Sequence, residues 1–118
     1  MGIDPRSLLP LTPLAFQVLL ALADSDRHGY GIIREVDTRT DGLIRLRSGT
    51  LYTLLQRLLG EGLILESDDR PLAEDDDERR RYYALTEFGR AVLTAEARRL
   101  ESALGEARRK HVIGRTRA

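Results

Sequence analysis

Residues 48–64, SGTLYTLLQRLLGEGLI, divide their side chains by chemistry. At about 100° per residue, Leu51, Leu54, Leu55 and Leu58 fall on one arc of a helix, with Leu59 at its edge. Gly49, Thr53, Gln56 and Gly60 fall on the opposite arc, flanked by Tyr52 and Arg57. Hydroxyl, amide and guanidinium groups gathered this way suit hydrogen bonds to phosphates or base edges, Gln to adenine and Arg to guanine. The small residues Ser48, Gly49 and Thr50 at the helix start let backbone N–H groups and the helix dipole approach a phosphate. Ser48 also reads as the N-cap. The competing reading is an ordinary solvated helix face.

Arg79, Arg80 and Arg81, followed by Tyr82, are candidate phosphate contacts; the alternative is that the arginines neutralise the acids just before them. Those acids, EDDDE at 74–78, lack the alternating spacing and glycine of a calcium loop and read as a solvated, mobile tip. His28 stands at a helix start, as a cap or as an effector-sensing switch. Nothing supports an enzyme. There is no cysteine, no phosphate loop and no Gly-x-Ser-x-Gly, and the two histidines, His28 and His111, lie in different elements. No metal site and no cofactor are expected.

The 118 residues form one domain with a single core. Formal net charge is zero, with 19 bases and 19 acids, but the distribution is uneven. Residues 66–78 hold 8 acids and one base, leaving 18 bases against 11 acids elsewhere. One acidic loop hides a basic domain, as a nucleic-acid binder requires. The lack of cysteine fits a reducing compartment. The longest apolar run, 14–23, is too short to span a bilayer, and no basic-then-apolar leader precedes it, so a cytoplasmic location is expected.

The elements that must position these groups follow from local signals. Thr12 caps a first helix with Pro13 in its first turn. Leu14, Phe16, Val18, Leu19, Leu20 and Leu22 make that helix apolar nearly all round, which suggests burial by a second chain. Ser25 or Asp26 caps a second helix whose buried stripe is Ile32, Ile33 and Val36, and Gly42 ends it. LIRL at 43–46 reads as a short strand with Leu43 and Ile44 partly buried. Gly62 closes the third helix. LILES at 63–67 and RRRYYAL at 79–85 then read as a hairpin. Thr86 and Glu87 begin a last helix running to about Lys110, with an apolar stripe rich in alanine.

Helix, helix, strand, helix, strand, loop, strand, helix is the order of a winged helix-turn-helix. Such a fold lays its third helix in the major groove and uses the following hairpin as the wing. The expected fold class is mainly α with a small β-hairpin, plus a long C-terminal dimerisation helix. Expected boundaries are an N-terminal arm at 1–11, the winged domain at 12–85, the last helix at 86–111 and a disordered tail at 112–118.

Three blocks, LLALADSDRHGYGIIREV, LRSGTLYTLLQRLLGEGLI and RRRYYALTEFGRAVL, together resemble the PadR-like transcriptional regulators. The matching motifs are His28-Gly29-Tyr30, Gly49-Thr50-Leu51-Tyr52, and Tyr82-Tyr83-Ala84-Leu85-Thr86 with Gly89, spread over residues from about 12 to 93. The resemblance is to the short type of the family, with one C-terminal helix. It implies a homodimer that represses nearby operons on double-stranded DNA, relieved in some members by a small aromatic or drug-like effector. It places Tyr30 beside the DNA backbone, with a half-buried core tyrosine as the alternative. The DNA-binding set is then Tyr30, Ser48, Gly49, Thr50, Tyr52, Thr53, Gln56, Arg57, Arg79, Arg80, Arg81 and Tyr82. The dimer seam is Leu14 and Val18 of the first helix with Val92, Ala95, Leu100, Ala103, Leu104 and Ala107 of the last. Two departures stand out. The wing is long and acidic, which opposes a deep wing–DNA contact, and the chain has no tryptophan to build a stacked-tryptophan drug pocket. The alternatives are a winged helix used as a protein–protein or assembly module and a multiple-antibiotic-resistance-type regulator, which has extra helices at both ends.

Overall fold

The computed structural model describes residues 2–67 and 81–114. A 3-10 turn, Pro5–Leu8, leads into α1 (Pro13–Ala21), β1 (Arg27–His28), α2 (Gly29–Arg39) and α3 (Ser48–Gly60). The hairpin strands β2 (Ile64–Ser67) and β3 (Tyr82–Leu85) precede α4 (Glu87–Arg109). The cap expected at Thr12 is present, its Oγ1 accepting from the Ala15 N–H, and Thr86, expected to begin the last helix, stands as its cap, with Oγ1 accepting from the Gly89 N–H. Each relieves one of the donors that a helix start leaves unpaired.

Two caps differ from expectation. α2 is capped by His28, whose Nδ1 accepts from the Gly31 N–H at 3.0 Å, and not by Ser25 or Asp26. The reason is that Arg27 and His28 extend as a strand against Tyr83 and Tyr82, pushing the helix start past them. α3 is capped by Arg47 without a side-chain bond, so Ser48 is its first helical residue.

The sheet order is β1-β3-β2, all antiparallel, with Ile64 opposite Leu85 and Ser67 opposite Tyr82. The third strand therefore precedes α2, and the strand expected at 43–46 is absent. Asp41 and Gly42 both have positive φ there, and the Ile44 N–H is taken by Thr40 Oγ1 at 3.1 Å, which turns the chain instead of extending it. Leu43 is 86% exposed and Ile44 is half-buried; Leu46 is the side chain that enters the core. β3 is the central strand, so both of its edges are paired, and the successive residues Tyr82 and Tyr83 are both buried. Tyr83 packs into the core, and Tyr82 lies edge-on to His28 at 5.2 Å.

The core joins α1, α2 and α3 through Val18, Leu19, Ile32, Val36, Leu51, Leu55 and Leu58, and reaches α4 through Val92 and Leu93. α3 ends as its glycine predicts: Gly62 has φ +75°, and the Leu63 N–H bonds back to the Leu58 carbonyl at 3.0 Å. α4 crosses directly over that stop. A β-carbon on Gly89 would lie 1.9 Å from the Leu63 carbonyl oxygen, so only glycine fits. The same oxygen accepts from the Thr86 N–H at 3.1 Å, and Thr86 Oγ1 donates to the Gly62 carbonyl at 2.6 Å.

The N-terminal arm is tied down by a buried charge. Glu96 of α4 is 1% exposed, and its carboxylate accepts from the Leu11 N–H at 2.8 Å and from the Arg99 guanidinium. The Arg99 hydrogen bond holds the carboxyl below its ordinary pKa; burial opposes this and the Leu11 N–H adds to it.

Candidate nucleic-acid interface

α3 presents the two faces its spacing required. Leu51, Leu54, Leu55 and Leu58 are buried, while Ser48, Gly49, Thr50, Tyr52, Thr53, Gln56 and Arg57 are all exposed. The structure thus brings together every site residue expected on this helix. Arg57 Nε lies 3.8 Å from Glu61 Oε1, and both side chains are well exposed. A solvated pair one helical turn apart contributes little, so the guanidinium exchanges readily to another anion.

α2 adds a second surface beside it. A β-carbon on Gly29 would lie 3.5 Å from the Tyr52 hydroxyl, so the start of α2 and the outer face of α3 touch. Next to that contact Tyr30 is 60% exposed, which excludes the half-buried core role. Its ring stacks on His28 at 6.4 Å with planes 10° apart, and the Arg34 guanidinium sits 5.8 Å above its centroid. Because His28 Nδ1 accepts the Gly31 N–H, the neutral ring carries its proton on Nε2. His28 is therefore a structural cap.

The wing arginines are only partly assembled with this surface. Arg81 donates to Glu66 Oε1 at 3.0 Å across the hairpin, so it neutralises an acid of the opposite strand. Tyr82 is 4% exposed and does not present its ring to a ligand. Arg79, Arg80 and the acidic run 74–78 lie outside the described residues, as does 115–118 of the expected tail. Two basic residues were missed. Arg34 stands four residues after Tyr30 on the same helix face, and Arg47 directly precedes α3. Among the described residues neither enters an ion pair, and the i, i+4 spacing from Tyr30 was the available signal for Arg34.

The expected dimer residues divide into two groups. Val18 and Val92 are fully buried inside a single chain, so no surface of theirs remains for a second copy. Leu14, Ala95, Leu100 and Ala107 are half-buried, and Ala103 and Leu104 are exposed. The buried residues of α4 end at Glu96, although the helix continues to Arg109. An apolar groove of about 1020 Å³ runs between the N-terminal turn and α4, lined by Pro5, Leu9, Ala91 and Ala95 among others. Among the described residues no cluster of His, Asp or Glu could hold a metal, and no helix is long and apolar enough to cross a membrane.

Residues 18–95 match the Transcriptional regulator PadR-like family. The chain belongs to that family. It is 37% identical over 84 residues to the transcriptional regulator Rv3488 of Mycobacterium tuberculosis (strain ATCC 25618 / H37Rv), covering 71% of this chain and 72% of that protein. A PadR family transcription regulator from hypervirulent Clostridium difficile R20291 superposes with a TM-score of 0.68 at 22% identity, over 83% of this chain and 97% of that one. Bacillus subtilis PadR, solved in complex with operator DNA, superposes with a TM-score of 0.59 at 21% identity, over 71% of this chain and 46% of that one. At these identities the two structures establish the fold of this PadR-like chain: a winged helix followed by a C-terminal helix. The family match spans α2, α3, the hairpin and the Gly89 crossing, the segments that position the exposed face of α3.

Proposed function

We propose that this PadR-like regulator binds DNA sequence-specifically as a homodimer and represses transcription from a pseudo-palindromic operator in the cytoplasm. The observation that carries the reading is the exposed polar face of α3, continuous with Tyr30 on α2. Gln56 and Arg57 read base edges, while Ser48, Gly49, Thr50, Tyr52, Thr53 and Tyr30 hold the backbone and set register. Arg79, Arg80 and Arg81 add wing phosphate contacts, with Arg81 first released from Glu66. The operator-bound Bacillus subtilis relative lends support through its shared fold.

Homodimerisation is favoured by the second half of α4. The helix is roughly 35 Å long, and its own core covers only the first half. Leu100, Ala103, Leu104 and Ala107, with Leu14 and Ala95, form the seam, which excludes Val18 and Val92. Two copies then set their α3 helices about 34 Å apart in successive major grooves. The apolar groove beside Ala91 and Ala95 is the place for a small aromatic effector.

Selection of bound sequences from random duplex DNA tests the function. A two-fold symmetric site supports it; no enrichment over input points to the runner-up, a winged helix that serves protein–protein assembly. Sedimentation at micromolar concentration tests the dimer, with about twice the 13.3 kDa chain mass expected and a monomer contradicting it.

A further inference from the structure

Resting on that DNA-binding reading, we propose that Arg34 is a further backbone-phosphate anchor, placed beside the Tyr30 ring on the exposed face of α2. In helix-turn-helix proteins the helix before the reading helix crosses the phosphate backbone. Here that helix is α2, and its exposed face is continuous with α3 through the Gly29–Tyr52 contact. Tyr30 and Arg34 are separated by one turn, so they lie one above the other on this face. Thr38 follows one turn further on, and all three line a cleft of about 660 Å³ together with Arg27 and Glu35.

The charges in this cleft are not equivalent. Arg27 donates to the Ala21 carbonyl at 2.8 Å and pairs with Asp24, and it lies 4.0 Å from Glu35. Glu35 accepts from Arg39 at 2.8 Å. The nearby carboxylates are therefore occupied by other arginines. Arg34 is exposed, and among the described residues it has the Tyr30 ring as its neighbour in place of an acid. The ring is itself held from below by His28, the cap of α2. A guanidinium drawn toward an aromatic face keeps its charge and its donors for an arriving anion. The backbone phosphodiester, with one negative charge and no demand for base identity, is the anion that this geometry fits.

The test is the salt dependence of binding, measured on a mixed-sequence duplex and on the duplex recovered by selection. Arg34→Gln should lower the slope of log K against log salt by about 0.9 per bound copy on both duplexes. The ratio of the two affinities should stay unchanged. Arg34→Lys should retain the slope, because the charge remains. Arg109→Gln, paired with Glu106 at the far end of α4, removes the same charge elsewhere and should leave the slope in place. An unchanged slope in Arg34→Gln, an equal fall in Arg109→Gln, or an equal fall in Arg34→Lys would each overturn the proposal. If the wild-type protein binds neither duplex, the DNA-binding reading itself fails and the anchor falls with it.

Discussion

The crossing of α4 over Leu63 and the outer face of α3 tolerate change in opposite ways, although Leu63 follows α3 by only a few residues. At the crossing, backbone meets backbone. Gly89 has no room for a single methyl group, and the Leu63 carbonyl serves the Thr86 N–H at the same point. On α3, by contrast, Tyr52, Thr53, Gln56 and Arg57 face solvent, and Arg57 holds only a loose ion pair with Glu61. At the crossing the fold itself demands the residue's identity, whereas on the outer face of α3 that identity is free to serve a ligand. A family motif that contains both Gly89 and the Gly49-Thr50-Leu51-Tyr52 run therefore mixes two kinds of requirement.

Substitutions at the two places should behave accordingly. Gly89→Ala should have the largest effect, destabilising the fold by about 3 kcal/mol or more, because a rigid backbone oxygen cannot move aside. Thermal unfolding checks it, and a melting temperature within a degree or two of the parent would mean that α4 can slide off Leu63. Arg57→Ala should leave the melting temperature nearly unchanged while weakening binding to the selected duplex by about 1–3 kcal/mol. Preference should flatten at one base pair per half-site; equal weakening on all sequences would make Arg57 a phosphate contact instead.

Glu96 stands between these extremes, since it is buried but its partner Arg99 is half-exposed. Glu96→Gln should cost about 1–2 kcal/mol at neutral pH, because the amide oxygen can still serve the Leu11 N–H but the amide NH2 then faces the Arg99 Nε, a donor against a donor. The carboxyl is held below its ordinary value of 4.5, so its contribution is fully present above that value. It is lost as pH falls through the lowered folded-state pKa. Parent and Glu96→Gln melting curves should therefore converge in acid; a gap that persists below that range would place the effect in packing. Gln56→Ala should have the smallest effect on stability, within about 0.5 kcal/mol, with its consequence confined to sequence preference.

Much of this molecule was legible without its structure because the governing interactions are local. The leucine arc of α3, the Thr12 cap, the start of α4 at Thr86 and the stop at Gly62 each depend on residues within a turn or two of one another. The solvated face of α3 follows from the same periodicity. The long-range choices depend instead on how the elements pack. Arg27 and His28 became a strand because β3 offered them an edge, and that moved the α2 cap to His28 and set the Tyr30–Arg34 stack beside α3. The segment at 43–46 lost its strand because its hydrogen bonds closed on Thr40 before any partner strand could claim them. Val18 and Val92 were claimed by the chain's own core, and the Leu11 N–H found Glu96 across 85 residues of sequence. Hydrophobic period reports that a side chain will be buried, but it carries no information on which neighbour buries it. That choice belongs to the packing of whole elements against one another.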